Sequence, residues 1–352
     1  MIPPPLRLLD NHTLVVSATQ LESMQTCPQL WSYRYQWRRE RAWDVAARDG
    51  GKAFDAALNH RYSRAGGQPL PPDSPLLSEA EHLIEQTFEP LQLPDDEYRT
   101  AVRYKQVLRA YLAHYGPEPF DVIGQPQLPV SCELGWVPAP TSLVPGGQAR
   151  VVLHGILDLL VRLHGTGQVL VMDTKTMNSW DQRQLNGFEQ SGQPRGYAWM
   201  VQRLAALHPE LGLPPVVHGF MLNAVVIRPP LIKERKDGSN LPREEFHRHV
   251  CYYQQEQLED WRSNALLWVQ TILGFAATGI YPRAEKSCAN QYGRACAFLP
   301  VCSEVASTRA LTLASDLYRD YKTAAVFGGP VVGAQAANVA GSAPALDNQP
   351  PS

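Results

Sequence analysis

The sequence predicts an α/β protein in which a mixed β-sheet is flanked by helices, with a helical N-terminal arm and a cysteine-bearing C-terminal segment. Apolar residues recur at helical spacing through most of the first third of the chain. Near residue 130 the pattern changes to short β-rich runs, separated by the turn-forming stretches PGGQ and HGTG. Helical spacing then returns between later β-rich runs, which indicates a sheet covered by helices.

The N-terminal part is predicted to be helical because apolar side chains such as Leu21, Met24 and Trp31 follow a helical spacing. Pro28 falls within the first stretch and marks a new helical start, since proline fits the first turn of a helix. The predicted helices span residues 18–37, 44–62, 77–90 and 96–115.

The central part is predicted to form a sheet whose first three strands follow one another as a meander. These strands span residues 130–138, 151–163 and 168–176. They are followed by a helix at 184–206, strands at 216–228 and 247–254, and a helix at 255–278. The last residues, 326–352, are rich in Gly, Ala and Pro with little charge, which predicts a disordered tail.

The composition excludes several classes of protein. Lys plus Arg number 32 and Asp plus Glu number 34, so the chain is not a strongly basic DNA-coating protein, and nucleic-acid binding needs a local patch. No apolar run approaches the ~20 residues of a membrane span, and the start MIPPPLRLLD lacks the layout of a signal peptide. We therefore expect a cytoplasmic protein without a membrane partner, whose six cysteines are not disulfide-bonded.

Two aspartates stand out in the stretch HGILDLLVRLHGTGQVLVMDTKT. Asp158 lies within an apolar strand, where an unpaired charge is costly, and Asp173 ends the next strand. A tight turn between the strands would bring both carboxylates together, where they could share Mg²⁺ or Mn²⁺ with the backbone carbonyl of Thr174. The alternative is a pair of strand-end acids beside a solvated lysine.

Three further residues are expected near these acids. Lys175 lies two residues after Asp173 and therefore on the same face of the strand, where it could orient or deprotonate water and stabilise charge on a phosphate. Gln193 and Tyr197 are four residues apart and share a helix face that is predicted to point at the same strand ends.

Four cysteines are candidates for one metal centre. Cys288, Cys296 and Cys302 are separated by seven and then five residues, and Cys27 supplies the fourth ligand if the chain ends lie together. Structural zinc sites and iron–sulfur clusters both require four protein ligands as a rule. The alternative is a set of unrelated buried cysteines. Two cysteines on predicted strands are assigned to that alternative: Cys132 and Cys251.

The run WSYRYQWRRERAW at residues 31–43 combines arginines with aromatic residues. Its arginines could contact phosphates while Tyr35 or Trp37 stacks on bases, as in proteins that bind single strands. The alternative is an amphipathic helix that buries its aromatic side chains. The charged stretch at 228–240 is predicted to be a hairpin loop. It has the same two interpretations as the run at 31–43: DNA contact, or a structural element without a role in binding. The predicted DNA contacts are Arg34, Arg38 and Arg39, with Arg41 as a further candidate.

The ordered motifs G-I-L-D, D-T-K and Q-P-R-G-Y resemble those of the PD-(D/E)XK nuclease superfamily, in its RecB-like exonuclease branch. The opening SATQLESMQTCPQLWSY is similar to the N-terminal helix of that branch, which includes phage and CRISPR-associated exonucleases. The late cysteine group also fits, so the resemblance spans about residues 14–305.

The resemblance implies a restriction-endonuclease-like fold and a metal-dependent DNA exonuclease. Its catalytic core would be Asp158, Asp173 and Lys175, with Gln193 and Tyr197 positioning either DNA or the lysine. The substrate would be single-stranded DNA or DNA ends, within a recombination or repair complex.

The cysteine order resembles that of the iron–sulfur members of the branch. This implies a 4Fe-4S cluster on Cys27, Cys288, Cys296 and Cys302. The second and third cysteines are farther apart than is usual there, so zinc stays an alternative.

One motif departs from the family pattern. The branch usually has G-x-x-x-H on an early helix, whereas this chain has Gly51 followed by Asp55 at the histidine position. Asp55 could replace imidazole as an oxygen ligand, since a hard divalent cation accepts carboxylate oxygens. The alternatives are a solvent-facing helix acid at this position, or His60 as the ligand. Glu133 on the first strand is a further carboxylate, interpreted as a surface residue.

Four regions are expected from these patterns: a helical part at 12–120, a nuclease core at 121–280, a cysteine segment at 281–310 and the tail at 326–352. Two other functions stay open. One is a DNA-binding protein that has kept the fold but lost hydrolysis together with the histidine. The other is an endonuclease whose cysteines hold zinc.

Overall fold

A computed structural model describes residues 3–42, 45–91, 97–229, 243–288 and 295–321 of the protein. The predicted tail and most of the charged stretch at 228–240 lie outside the described residues. Within the described residues, no helix is both long and apolar enough to span a membrane.

The predicted helices and strands alternate along the chain as expected, with differences at particular positions. The strands are β1 (Thr13–Ser17), β2 (Arg39–Arg41), β3 (Phe120–Ile123), β4 (Leu128–Pro138), β5 (Gln148–Leu157), β6 (Leu159–Leu163), β7 (Val169–Met177), β8 (Gly219–Ile227), β9 (Glu244–Tyr252) and β10 (Tyr318–Asp320). The helices are α1 (Ala18–Thr26), α2 (Pro28–Trp31), α3 (Val45–Ala65), α4 (Pro75–Phe88), α5 (Ala101–Tyr115), α6 (Gln182–Gln190), α7 (Gly192–Leu207), α8 (Gln255–Thr278), α9 (Glu285–Cys288), α10 (Leu299–Ser303) and α11 (Arg309–Ala314).

The largest sheet has the strand order β3-β6-β7-β8-β9 and is mixed. Strands β7 and β8 are parallel and are connected through α6 and α7, while the other pairs are antiparallel. A second sheet, β1-β5-β4, contains a parallel pair between β1 and β5. A two-stranded sheet joins β2 to β10. The prediction of a mixed sheet in an α/β protein is therefore confirmed.

Side chains that alternate along β7 enter two hydrophobic cores. Leu170 and Met172 pack with α3, α4 and α5 on one face of the large sheet. Val171 points to the opposite face, where α7, α8 and the second sheet pack. The large sheet is therefore covered on both faces, and Asp173 and Lys175 continue on the face of Val171.

The start of the chain is fixed by a capping box at the junction of β1 and α1. The Ser17 hydroxyl accepts a hydrogen bond from the Gln20 backbone N–H (3.2 Å), and the Gln20 side chain accepts one from the Ser17 N–H (3.1 Å). Helix α2 begins at Pro28, as predicted. The helical pattern predicted for residues 18–37 continues after α2 as a π-helical turn, Ser32–Gln36.

Two predicted elements are each divided in the structure. The strand expected at 151–163 is broken at Asp158, whose backbone carbonyl accepts a hydrogen bond from the Gln127 N–H (2.9 Å). As a result β5 and β6 belong to different sheets, and the expected meander is wrong at this point. The helix expected at 184–206 is interrupted at Ser191, which has extended backbone and caps α7.

Candidate active site

The end of β7 and the break between β5 and β6 bring the predicted acids together. Asp173 is buried, with 3% of its surface exposed. The Thr174 backbone N–H donates a hydrogen bond to Asp158 Oδ2 (3.4 Å), which connects the two strand positions. The Thr174 hydroxyl accepts a hydrogen bond from the Asn223 side chain on β8 (3.1 Å). Asp158 thus lies at a strand break, not within a strand as predicted.

Asp55 on α3 joins these acids through a residue that the sequence analysis missed. The side-chain amide of Gln127 donates hydrogen bonds to Asp55 Oδ2 (2.8 Å) and Asp158 Oδ1 (3.0 Å). Gln127 has a φ of +55°, which is uncommon for a residue with a side chain. We refer to Asp55, Asp158, Asp173, Lys175 and Gln127 as the carboxylate site.

Gly51 explains how α3 comes close enough to deliver Asp55. A Cβ atom at residue 51 would lie 2.8 Å from the Thr176 hydroxyl oxygen at the end of β7. Because only glycine lacks this atom, the helix can lie directly against the strand. Asp55 follows one helical turn later and is directed at the same strand end.

Burial and mutual repulsion change the protonation of the acids. Burial and the charge of Asp173 raise the pKa of Asp55 to about 7. The same two causes raise the pKa of Asp158 well above its usual range. Three carboxyl groups therefore share a space in which they cannot all be ionised without a compensating cation.

Lys175 supplies one positive charge to the site. Its Nζ atom lies 2.6 Å from Asp173 Oδ2, and its side chain keeps 37% of its surface exposed. Burial opposes the ammonium charge, but the carboxyl groups of Asp173 and Asp158 outweigh it and raise the pKa of Lys175. The lysine is therefore protonated at neutral pH, with one end of its side chain still accessible.

The predicted pair on α7 lies beside these groups. The Gln193 side chain donates a hydrogen bond to the Tyr197 hydroxyl (3.2 Å). Burial raises the pKa of Tyr197 to about 12, so this hydroxyl is neutral. The Tyr197 ring lies over Gly155 on β5, where a Cβ atom would approach the ring to 2.6 Å. The glycine of G-I-L-D therefore provides the space for the tyrosine of the later motif.

Glu22 on α1 is a second residue that the sequence analysis missed. Its carboxylate accepts hydrogen bonds from the Ser191 hydroxyl and from the Gln193 backbone N–H (3.2 Å) at the start of α7. This contact connects the N-terminal helix to the helix that carries Gln193 and Tyr197. Glu22 also lines the cleft described next.

An open cleft of about 790 Å³ lies beside the carboxylate site. Lys175 and Gln193 form part of its wall, together with residues of α6 and the segment before it. The α6 side of the cleft contributes Arg183, Gln184 and Phe188. A substrate in this cleft would meet the lysine directly.

The residues of the carboxylate site suit a hard divalent cation. Asp55 Oδ1 is buried and has no hydrogen-bond partner, and the other available donors are carboxylate and backbone oxygens. Among the described residues, the nearest oxygens of the three aspartates are not all within 4.8 Å of one another. The Gln127 amide stands between two of them, so a cation would take the place of that amide.

Two alternative ligands lie elsewhere. His60 Nε2 is 2.9 Å from Glu79 Oε2 on α4, so the imidazole is engaged outside the carboxylate site. Glu133 pairs with Arg150 at 2.8 Å, and both side chains are exposed to solvent. The interpretation of Glu133 as a surface residue is confirmed.

The four cysteines of the predicted centre come from both ends of the described chain and meet in one small core. Cys27 lies between α1 and α2, and its Sγ accepts a hydrogen bond from the Ala284 N–H (3.4 Å). The Cys296 N–H donates to the Cys288 carbonyl (2.7 Å). Cys27 and Cys296 are buried in this core, with Cys288 and Cys302 packed against it. We refer to Cys27 with residues 281–288 and 295–303 as the cysteine segment.

The thiols of the cysteine segment influence one another. Burial and the neighbouring thiols of Cys288 and Cys296 raise the pKa of Cys302 to about 11. Burial also raises the pKa of Cys296, with Arg34 acting in the opposite direction. Without a metal Cys296 and Cys302 are therefore neutral thiols, and metal binding would release their protons.

The basic and aromatic run lies at the cysteine segment. Trp37 packs against the core that contains Cys27, and Tyr35 packs in the main core with its ring 5.4 Å from that of Tyr321. These aromatic side chains thus pack against the protein interior, as expected if the run is an amphipathic helix. Arg39 pairs with Asp320 across the β2/β10 sheet (2.9 Å). The predicted DNA contacts lie in this region: Arg34 is near Cys296, Arg38 precedes β2 and Arg39 begins it.

The remaining two cysteines differ from each other. Cys132 is buried in the main core, as predicted, and burial raises its pKa to about 12. Cys251 is only half-buried, and it lies on β9 beside Glu189 and His249. Cys251 lies on a strand and outside the cysteine segment, as predicted, but it is less buried than Cys132.

The sequence profile of the PD-(D/E)XK nuclease superfamily matches residues 15–303. Because the match covers well over half of the 352-residue chain, the protein belongs to this superfamily. Its mixed sheet flanked by helices is consistent with the restriction-endonuclease-like fold. Comparison with curated proteins finds no match. Membership supports a metal-dependent nuclease, and the matched region contains both the carboxylate site and all four cysteines of the cysteine segment.

Proposed function

We propose that the protein is a metal-dependent DNA exonuclease of the RecB-like branch, acting on single-stranded DNA or on DNA ends. The observation that carries this proposal is the convergence of three aspartates, one buried and two half-buried, and Lys175 beside an open cleft. The order of the motifs along the chain, with one cysteine before the core and three after it, supports the branch.

Asp55, Asp158 and Asp173 would hold one Mg²⁺ or Mn²⁺, with the Thr174 carbonyl as a further ligand. When bound, the ion would supply Lewis-acid activation of the phosphate and of the attacking water. Hydrolysis forms a P–O bond to the water oxygen and breaks the P–O bond to the leaving sugar oxygen, which takes up a proton. The unpartnered Asp55 Oδ1 supports this assignment.

Lys175 would stabilise the negative charge that develops on the phosphate oxygens. Its raised pKa keeps it protonated, and its exposed fraction reaches the cleft. Tyr197 is held on Gly155 and hydrogen-bonded to Gln193, so this pair would position the lysine or a DNA phosphate. Arg183, which lines the same cleft, would add a phosphate contact.

The cysteine segment would bind a structural 4Fe-4S cluster. The meeting of Cys27, Cys288, Cys296 and Cys302 in one core supports a single centre with four thiolate ligands. Arg34, Arg38 and Arg39 would contact the DNA backbone farther along the strand, near this cluster. In this proposal the expected division at residues 120 and 280 separates a helical part, the nuclease core and the cysteine segment.

Cleavage of linear and circular single-stranded DNA tests the proposed activity. Protein purified anaerobically is incubated with end-labelled linear DNA, or with circular DNA of the same sequence, in Mn²⁺ or in EDTA. We expect the linear DNA to be degraded from an end with Mn²⁺, the circular DNA to stay intact, and EDTA to stop the reaction. Protein with Asp173→Asn, prepared in the same way, controls for contaminating nucleases.

Each other outcome supports a different function. Cleavage of the circular DNA would indicate an endonuclease. Binding of the linear DNA without cleavage in either metal would contradict hydrolysis and favour a DNA-binding protein of the same fold. Iron, sulfide and zinc analysis of the same preparation distinguishes a 4Fe-4S cluster from a zinc site.

A further inference from the structure

A second group of potential metal ligands lies at the edge of the large sheet. His249 and Cys251 are on β9, the edge strand, and Glu189 is in the last turn of α6. His249 Nε2 is 2.8 Å from Glu189 Oε1. In the described part of the chain, these are the only three His, Cys, Asp or Glu side chains whose ligand atoms all lie within 4.8 Å of one another.

Strand geometry explains why the three side chains meet. Residues two apart on a strand point to the same face, so His249 and Cys251 are both on the face that α6 approaches. Their partners across the ladder, Leu222 and Phe220, belong to the main core. Phe188 lies near Phe220, with ring centroids 6.3 Å apart, and places the adjacent Glu189 over β9.

We infer that Glu189, His249 and Cys251 form a binding site for a zinc-like divalent cation, separate from the carboxylate site. A thiolate, an imidazole and a carboxylate together match the ligands that Zn²⁺ takes in proteins, whereas Mg²⁺ prefers oxygen ligands alone. Three protein ligands leave a fourth tetrahedral position for water or another donor.

Tyr253 provides an independent observation at the same place. Its hydroxyl is buried and has no hydrogen-bond partner. The hydroxyl lies beside the Cys251 thiol and therefore close to the proposed ligands. A water on a bound cation could accept the hydrogen bond that Tyr253 otherwise lacks.

The charge distribution of this group favours a bound cation, because the Glu189 carboxylate lies beside the Cys251 thiol. Arg195 lies beside the site, and its Nη2 donates a hydrogen bond to the Glu189 backbone carbonyl (3.1 Å). A divalent cation would displace the thiol proton and balance the two resulting anionic ligands.

The site would attach α6 to the sheet. Among its described residues, α6 has none that is fully buried, so few apolar contacts hold it. One face of the same helix lines the cleft beside Lys175 through Gln184 and Phe188. Occupancy of the site would therefore stabilise one wall of that cleft, whatever reaction the protein performs.

Cobalt binding tests the inference, because Co²⁺ replaces Zn²⁺ and reports a thiolate ligand by charge-transfer absorption. Holoprotein that retains its cysteine-segment metal is dialysed against chelator and titrated with Co²⁺. We expect one equivalent, beyond any cobalt held by the carboxylate site, to bind with a thiolate-to-cobalt band in the difference spectrum and to be displaced by Zn²⁺. Cys251→Ser should abolish the band, and Glu189→Gln should weaken binding at least tenfold. Cys132→Ser is the matched control and should leave both unchanged.

A second measurement reports on α6 and not on activity. Hydrogen exchange of residues 182–190 should slow when Zn²⁺ is added to wild-type protein, and should not change in the Glu189→Gln variant. That variant alters a half-buried helix residue and is expected to fold even if Cys251→Ser does not. Equal cobalt binding by wild type and Glu189→Gln would overturn the inference, as would a wild-type protein that shows no thiolate band.

Discussion

The carboxylate site and the cysteine segment are built in opposite ways. The carboxylate site lies where β7 and the β5/β6 break meet α3, and the ladders of two sheets fix its strands. The cysteine segment depends on helices of four or five residues, namely α2, α9 and α10, and on the contact between the two ends of the described chain. The carboxylate site is thus held by a sheet that forms independently of it, whereas the cysteine segment itself helps to hold the two ends of the described chain together.

The difference predicts how each region responds to losing its metal. The carboxylate site keeps its backbone without a cation, because hydrogen bonds within the sheets hold Asp173 and Lys175. Short helices contribute little stability by themselves, so the cysteine segment depends on its small core and would depend on the proposed metal. We therefore expect ligand substitutions to reduce activity in the first region and stability in the second.

The largest expected effect is on cleavage. Asp173→Asn and Lys175→Ala should each lower the cleavage rate on the order of 10³-fold, because they remove a cation ligand or the charge facing the phosphate. The circular dichroism spectrum and the metal content of the cysteine segment should stay unchanged. Asp121→Asn is the control, since Asp121 on β3 is exposed and pairs only with His164 among the contacts we find in the described residues. Undiminished cleavage by either variant would rule out the carboxylate site as the active site.

The next effect is on stability. Cys27→Ala and Cys296→Ala should each remove the metal of the cysteine segment and lower the free energy of unfolding by about 2–4 kcal/mol, by analogy with loss of a long-range cross-link. Chemical unfolding and metal analysis under anaerobic conditions measure both quantities. Cys132→Ala should cost only the packing of one buried side chain and retain the metal. Full metal content in Cys27→Ala would contradict the pairing of the chain ends.

A smaller effect separates the two candidate ligands on α3. Asp55→Ala should raise the Mn²⁺ concentration for half-maximal activity about tenfold, because it removes a carboxylate that faces the other two acids. His60→Ala should leave that concentration unchanged, since its imidazole pairs with Glu79. The reverse result would place the metal ligand more than one helical turn farther along α3.

The sequence could predict the elements that carry a local signal. The α8 helix was predicted with its observed ends, and the D-T-K strand within one residue of them, because both have strong periodicity. Strand β1 was missed because it is a five-residue run whose partner, β5, lies more than a hundred residues away. The strand break at Asp158 was also missed, since Gln127, which hydrogen-bonds to Asp158 there, lies 31 residues earlier in the chain.

Within the carboxylate site, too, residues of one local motif could be predicted and residues that act through distant contacts could not. Asp173 and Lys175 belong to one short motif, so their proximity follows from strand geometry alone. Gln127 and Glu22 act through contacts with residues far along the chain. Although Glu22 lies within the stretch SATQLESMQTCPQLWSY, that stretch does not show which residues Glu22 contacts. His249 and Cys251 form an H-x-C pair that was visible in the sequence, but Glu189, which completes the group, is some 60 residues earlier. Non-local contacts of this kind require the folded structure.

The smallest expected effect tests whether the carboxylate site is strained without a cation. In metal-free protein, Asp55→Asn should raise the free energy of unfolding by about 1 kcal/mol at pH 8, because it removes one of three mutually repelling buried carboxyl groups.

The direction with pH follows from the raised pKa of Asp55. That pKa is about 7 in the folded protein and about 4 in the unfolded chain, so the folded state binds the extra proton between these values. The stability of metal-free wild type should therefore fall as pH rises through this interval, and fall less in Asp55→Asn.

Saturating Mg²⁺ should reverse the order of stability of the two proteins, since wild type binds the ion more tightly and gains more stability from it. Thermal unfolding at pH 5 and pH 8, with and without Mg²⁺, measures all four states. If Asp55→Asn were less stable than wild type in metal-free buffer at pH 8, the hydrogen bond from Gln127 would outweigh the repulsion between the carboxyl groups. Asp55 would then stabilise the fold even without a bound cation.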